Sequence, residues 1–296
     1  MYGNDSMSYI SNNLLQVSIP KRMFFIWEGH SLSYLRYLTI YSYKKLNPDW
    51  DIHFYYGRLL EKKSIPWTES AIQDFSSYSG KDYFYELSKL NIEMHTIESQ
   101  FPKFPSVSLS PVHKSDILRW HLLSKYGGFY ADTDILFIKS LEEVYKKAKE
   151  VQLLTCFFDE YFSIGFLGSC SGNRFYSNLL ELCKKVVNVK QYESVGIPAI
   201  HRLLSGDCSA KKDILKYLKK KYPEYRILHC SKNLVYPLVK EEIFQKLIVR
   251  ISSETVGLHW FAGYPFVQKY NNSITCEQEL DKNTTFGHFA LRVLHE

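Results

Sequence analysis

Two aspartates on alternate residues, Asp132 and Asp134, follow the run Tyr126-Gly127-Gly128-Phe129-Tyr130-Ala131. On an extended backbone, residues two apart face the same side. The two carboxylates can therefore offer oxygens to one divalent cation, and a cation held this way neutralises a diphosphate. Just upstream, Ser115-Asp116-Ile117-Leu118-Arg119 sets an acid and a base one helical turn apart. A bare Asp-x-Asp says little, and the chain contains a second one, Asp49-Trp50-Asp51. That one follows Asn47-Pro48 and opens the apolar run Ile52 to Tyr56, so it reads as a turn entering a strand. Asp132 and Asp134 instead close a strand that follows a capped helix, and ligands in open α/β sheets gather at the carboxyl ends of strands. Together the helix pair and the strand pair read as a sugar-nucleotide site.

The elements that must hold these groups are legible around them. Arg22-Met23-Phe24-Phe25-Ile26-Trp27 is almost wholly apolar, as a buried parallel strand requires. Leu35, Leu38, Thr39, Ser42 and Leu46 keep helical spacing until Asn47-Pro48 stops them. A second strand at 52–56 completes a βαβ unit, the entry to a doubly wound sheet. Pro111 starts a helix over 112–126, and Gly127 supplies its left-handed cap. Ile135 to Ile138 continues extended, and 151–158 is an apolar strand ending at Asp159-Glu160. Helices are expected around 69–77, 82–91, 173–187, 196–205, 209–221 and 240–249, with short strands near 226–229 and 255–260.

At 296 residues with 45% apolar content, the chain is long enough for one large α/β domain with a true core. A formal charge of +6 suits phosphorylated ligands or an anionic surface without implying nucleic acid. Lys211, Lys212, Lys216, Lys219, Lys220 and Lys221 form either a solvated helix face or a contact for an anionic membrane or lipid-linked acceptor. The cysteines form no Cys-x-x-Cys pair and no zinc spacing with histidine, so reduced thiols in cytosol are expected. No stretch near the N-terminus reads as an export signal, and no apolar run has membrane-spanning length. The expected location is cytoplasmic, with the lysines allowing peripheral contact at the inner face of the membrane.

Ile19-Pro20-Lys21 with Ile26-Trp27, Asn47-Pro48-Asp49-Trp50, Ser115-Asp116-Ile117-Leu118-Arg119 and Gly127-Gly128-x-Tyr130-x-Asp132-x-Asp134 resemble the glycosyltransferases with the DXD sugar-binding region. That group includes fungal Golgi mannosyltransferases and many bacterial capsular polysaccharide and lipopolysaccharide transferases. The glucosyltransferase domains of large clostridial toxins share the Ser-Asp-Ile-Leu-Arg helix. The resemblance runs in order over residues 19 to about 264, leaving 1–18 and 265–296 as terminal extensions, the latter packed on or near the domain.

The resemblance implies a GT-A fold, a Rossmann-like mixed sheet flanked by helices, in a single domain with helical elaborations. It also implies Mn2+ or Mg2+ as cofactor and retention of anomeric configuration. By position, Ile26 and Trp27 match donor-binding residues, Trp27 as the platform on which the base stacks. Asp116 and Arg119 match sugar contacts, Asp132 the first donor-contacting carboxylate and Asp134 the direct metal ligand. Asp116, Arg119 and Asp132 are the expected catalytic set, and Asp132, Asp134 and His259 the expected metal set. Each has a plainer reading: Trp27 as core, Asp116 with Arg119 as an intrahelical ion pair, and His259 as a histidine packed behind a strand. Ile164-Gly165-Phe166-Leu167-Gly168 stands where relatives often read Asn-Ala-Phe-Ile-Gly. Gly196-Ile197-Pro198 resembles a Gly-Pro helix start, and His259-Trp260-Phe261-Ala262-Gly263-Tyr264 has Gly-Tyr where the family has Ser-Trp.

The expected activity is metal-dependent, retaining transfer from a nucleotide sugar, a UDP-sugar by preference, to a surface-glycan or lipid-linked acceptor. Front-face attack is expected, with Asp159 or Glu160 as an alternative source of assistance. A toxin-like protein glycosyltransferase and a non-catalytic sugar-nucleotide-binding module are the competing readings. An Asp-x-Asp-x-Thr phosphohydrolase fits poorly, because Leu136 stands where that motif wants Thr or Val.

Overall fold

The computed structural model describes residues 18–58, 64–68, 71–74, 78–158, 161–207 and 214–296. Strand β1 (Arg22–Gly29) leads to helix α1 (Tyr34–Leu46), whose first turn is capped by the Ser33 side chain accepting from the Arg36 N–H. Strand β2 (Asp51–Arg58) then pairs parallel with β1 along its whole length. In order follow β3 (Ser64–Thr68), β4 (Ala71–Asp74), α2 (Phe84–Leu87), β5 (Glu93–Thr96), α3 (Ile97–Gln100), α4 (Pro111–Lys125), β6 (Gly128–Ala131) and β7 (Ile135–Phe137). The rest comprises α5 (Glu142–Ala148), β8 (Leu153–Phe158), β9 (Tyr161–Ser169), α6 (Arg174–Val186), α7 (Ile197–Ser205), α8 (Ile214–Lys221), β10 (Ile227–Cys230), α9 (Lys240–Gln245), β11 (Gly257–His259), α10 (Pro265–Ser273) and α11 (Thr285–His295).

The main sheet has the order β10-β8-β9-β6-β1-β2-β5. Its neighbours are parallel except at β9, which runs antiparallel to both β8 and β6. This is an α/β fold built on a mixed sheet flanked by helices, the architecture the family resemblance implies. Residues of β1 alternate between its two sides: Met23, Phe25 and Trp27 join one core cluster, Phe24 and Ile26 the other. Both faces being covered explains why that strand is apolar without a break. Phe286, Phe289 and Ala290 of α11 are buried in the same cluster as Phe25 and Leu38.

Local chemistry accounts for the turn that delivers the carboxylates. Ser110 caps α4 by accepting from the His113 N–H, and Pro111 occupies its first turn. Gly127 ends it at φ +64°, where an added Cβ would sit 2.4 Å from the Ser171 nitrogen. Only glycine fits there.

Some sequence expectations are corrected. Residues 71–74 are the second strand of a hairpin, paired antiparallel with 64–68, rather than part of a helix over 69–77. Cross-strand pairing outweighs the helical spacing. The helices expected at 82–91 and 240–249 shrink to Phe84–Leu87 and Lys240–Gln245. Within 209–221, the helix is seen over Ile214–Lys221, and residues 208–213 lie outside the described set. Strand β9 had no clear signature, since Gly165 and Gly168 weaken any strand pattern. Their cause is tertiary: a Cβ on Gly168 would come within 2.9 Å of the Leu154 Cβ.

Candidate active site

The chain leaves β1 toward β2 on one flank and returns to β6 on the other, so the strand order reverses at β1. A crevice opens outside the carboxyl ends of strands at such a point. A cavity of about 730 Å³ occupies it. Ile26 and Trp27 from the end of β1, Asp116 and Arg119 from α4, Asp132 and Asp134 from beyond β6, and His259 from β11 all line this cavity. The decoy pair stays away: Asp49 is exposed and bound to Lys21 at 2.5 Å, and Trp50 is buried core. Asp159 and Glu160 lie outside the described residues, as do Lys211 and Lys212, while Lys216, Lys219, Lys220 and Lys221 are exposed on α8.

Arg119 is the hub. Its guanidinium donates to the Ile164 carbonyl at 2.8 Å, to the Tyr130 hydroxyl at 3.0 Å and to Asp132 Oδ1 at 3.2 Å. The same group lies 3.4 Å from Asp116 Oδ1 one turn away. Asp116 and Arg119 are both almost wholly buried, so this is no surface ion pair. Tyr130 donates to Asp132 Oδ1 at 2.6 Å, which fixes that carboxylate from a second side. Burial opposes the charge on Arg119, but Tyr130, Asp132 and Asp116 outweigh it and keep the guanidinium protonated. Gly165 supplies the room: a Cβ there would lie 2.7 Å from Asp132 Oδ2 and 2.5 Å from the Tyr236 hydroxyl. Gly196, at the start of α7, likewise leaves space beside Asp116, whose Oδ2 would meet an added Cβ at 2.9 Å.

Burial pushes the Asp116 carboxyl up to about 7, with the nearby Arg119 charge working in the opposite direction. In an unfolded chain an aspartate titrates near about 3.9. Between those values the native state holds a proton that the unfolded state has lost, so this group's contribution to stability falls as pH rises through that window. Asp116→Asn abolishes the fall. The variant's melting temperature relative to wild type is expected to be higher at about pH 8 than at about pH 5. An identical difference at both pH values in scanning calorimetry contradicts the assignment.

Asp134 and His259 meet through the small sheet of β7 and β11. His259 pairs in register with Ile135, and the Trp260 N–H donates to the Asp134 carbonyl at 2.8 Å. The His259 Nε2 thus comes within 3.2 Å of Asp134 Oδ1, while Asp134 Oδ2 accepts the Ala262 N–H at 2.8 Å. Burial opposes ionisation of Asp134, but His259, Arg36 and the Ala262 N–H outweigh it and hold the carboxyl below its usual range. Burial likewise opposes charge on His259, and Asp134 more than offsets it.

One ligand atom each from Asp132, Asp134 and His259 lies within 4.8 Å of the other two. Two carboxylates with one imidazole form a donor set that can hold a divalent cation. The Phe261 N–H donates to His259 Nδ1 at 3.2 Å, so the neutral ring carries its proton on Nε2, facing Asp134. To offer Nε2 to a cation, the imidazole must move that proton to Nδ1 and give up the Phe261 bond. The donor set fits with that one tautomer change.

Sequence reasoning missed residues that the fold brings in from afar. Arg36 of α1 is buried, donates to Thr133 Oγ1 at 2.6 Å and lays its guanidinium 3.9 Å from the Trp27 ring centre. Its signal was a charge three residues before Thr39 on the buried face of α1. Trp27 is itself nearly buried and shares the core cluster, so one side of its ring is committed to the protein. Glu28 is held by Lys114 at 2.5 Å, and its Oε2 has no partner among the described residues. Tyr236, beside His259, had no local signal at all.

Residues 33–151 match the family model for the glycosyltransferase sugar-binding region containing DXD motif. No curated protein matches the sequence. Among solved structures, the chain is similar to PaToxG glycosyltransferase, with 20% identity, a TM-score of 0.45 and coverage of 70% of this chain and 75% of that one. It is also similar to galactosyltransferase LgtC in complex with donor and acceptor sugar analogs, with 14% identity, a TM-score of 0.36 and coverage of 85% and 83%. The ligand-free glycosyltransferase domain from the YGT toxin has 10% identity, a TM-score of 0.38 and coverage of 70% and 68%.

Proposed function

With residues 33–151 carrying the DXD region of glycosyltransferases, we propose that the chain is a metal-dependent, retaining enzyme of the GT-A type that moves a sugar from a UDP-sugar to a surface-glycan or lipid-linked acceptor. The observation that carries this reading is the convergence of Asp116, Arg119, Asp132, Asp134 and His259 on one cavity at the switch point of the sheet. Asp132, Asp134 and His259 are the residues that would hold manganese or magnesium. When bound, the cation supplies positive charge to the diphosphate as it departs.

The remaining work falls to the chain's own groups. Asp116 and Arg119 orient the sugar, Asp116 by accepting its hydroxyl protons. Arg119 also fixes Asp132 so that its second oxygen faces the donor. Trp27 and Ile26 seat the nucleoside base. In front-face attack the acceptor hydroxyl enters beside the leaving phosphate, and that phosphate's oxygen takes its proton. We assign residues 19–264 to the catalytic unit, with 265–296 packed on it. The exposed lysines of α8 suit an acceptor at an anionic membrane surface on the cytoplasmic side. Among the described residues no helix is long and apolar enough to cross a membrane.

Calorimetric titration with UDP, with and without manganese, tests the donor half of this reading. Tight binding is expected only with the metal, and metal-independent binding contradicts it. In the same assay Trp27→Ala is expected to weaken UDP binding by about 1–3 kcal/mol, the scale of a base stacked on an aromatic ring. In turnover it raises the donor's KM more than it lowers kcat, because a platform binds ground state and transition state alike. Loss of thermal stability with unchanged UDP affinity assigns Trp27 to the core instead.

A further inference from the structure

A second cluster of ligating side chains lies at the edge of the sheet, away from the crevice. His53 of β2 pairs in register with Glu93 of edge strand β5, and His95 follows two residues later on the same side of β5. The His53 Nδ1 lies 3.1 Å from His95 Nε2 and 3.3 Å from Glu93 Oε2, and the His95 Nε2 lies 3.5 Å from the same oxygen. Three atoms that each offer a lone pair therefore form a nearly equilateral triangle.

That triangle has the size of one face of a small coordination tetrahedron. Bonds of about 2.0–2.1 Å from zinc to imidazole nitrogen and about 2.0–2.2 Å to carboxylate oxygen place neighbouring ligands roughly 3.3–3.5 Å apart. The measured sides of 3.1, 3.3 and 3.5 Å bracket that figure. Without a cation the geometry is poorly served, since the short nitrogen–nitrogen contact needs a proton from one ring and the carboxylate seeks one from both. The rings are already fixed: His95 stacks on Tyr55 at 4.8 Å and on His53 at 5.4 Å.

We propose that His53, Glu93 and His95 form a zinc site that clamps edge strand β5 to β2. The metal is bound by two imidazole nitrogens and one carboxylate oxygen, with water in the fourth position, which the exposure of Glu93 leaves accessible. Imidazole donors with a carboxylate select zinc over magnesium or calcium, so this site differs in chemistry as well as place from the carboxylate-rich crevice. Its role is structural. β5 is short and outermost in the sheet, and a cation joining it to β2 holds that edge closed.

The test uses the full chain carrying Asp134→Ala, so that the crevice does not compete for metal, and titrates Zn2+ against a chromophoric chelator. One zinc per chain is expected, with a rise in melting temperature. Adding His95→Ala is expected to weaken zinc roughly hundredfold or more, beyond what loss of a mere outer partner costs. Unchanged zinc affinity in the His95→Ala background overturns the proposal, as does failure of the Asp134→Ala chain to bind zinc. Co2+ added to the same Asp134→Ala chain gives a check independent of any further substitution. Intense visible bands of tetrahedral cobalt support the site, and the weak bands of six-coordinate cobalt contradict it.

Discussion

Asp134→Ala is expected to lower sugar transfer by roughly a hundredfold or more, the usual consequence of deleting a group that stabilises charge in the transition state. The residual activity should no longer respond to manganese. Asp134 also accepts the Ala262 N–H and faces His259. The alanine variant therefore leaves a buried donor unpaired, at a cost of about 1–3 kcal/mol. Asp134→Asn separates the two effects. It keeps an acceptor for Ala262 but gives up the charge facing His259, so it should melt closer to wild type than the alanine variant and remain as inactive. An Asp134→Asn enzyme with normal metal-dependent transfer removes Asp134 from the metal set.

The second large effect falls on stability. Arg119→Leu is expected to cost about 3–5 kcal/mol, because removing one partner from a buried ionic cluster strands the others. Asp116 and Asp132 would face each other across the gap without their shared cation. Combining Arg119→Leu with Asp116→Asn should recover part of that loss, since an amide spares the buried Asp116 carboxyl the protonation that loss of Arg119 forces on it. The coupling appears as non-additivity in a double-mutant cycle read by chemical denaturation. Strictly additive losses mean that the two side chains do not interact. Both variants are expected to be inactive, so stability alone distinguishes the cluster's role in holding the site from its role in turnover.

The parts of the fold that the sequence made legible are those in which local chemistry and tertiary role agree. β1 is apolar because both faces are covered, α4 carries its own cap and proline, and Gly127 adopts the positive φ that marks a helix end. Asp132 and Asp134 follow directly from that turn. Elements whose form is decided by distant partners could not be read this way. β9 enters between β8 and β6 because its glycines accommodate Leu154 and Asp132, neighbours that no local pattern reveals. Residues 71–74 lie inside the span read as a helix over 69–77 and instead pair antiparallel with 64–68. In the site the same division holds. Asp116 and Arg119 share one helix and were found together, whereas Arg36 reaches Thr133 from 97 residues away. His259 meets Asp134 only through the register of β7 with β11. Its role was open in the sequence because that register is set by the long-range sheet.

The most direct measurement is turnover of the donor itself. Incubating the protein with manganese and a panel of nucleotide sugars, and following release of free sugar and nucleoside diphosphate, asks whether the cavity does chemistry or only binds. The account predicts manganese-dependent hydrolysis of a UDP-sugar in preference to the other donors. Asp116→Asn should abolish that hydrolysis while binding UDP normally, because the free nucleotide has no sugar to orient. UDP binding by the wild-type chain with no hydrolysis or transfer from any donor in the panel would contradict it, leaving a module that binds nucleotide sugars without turning them over.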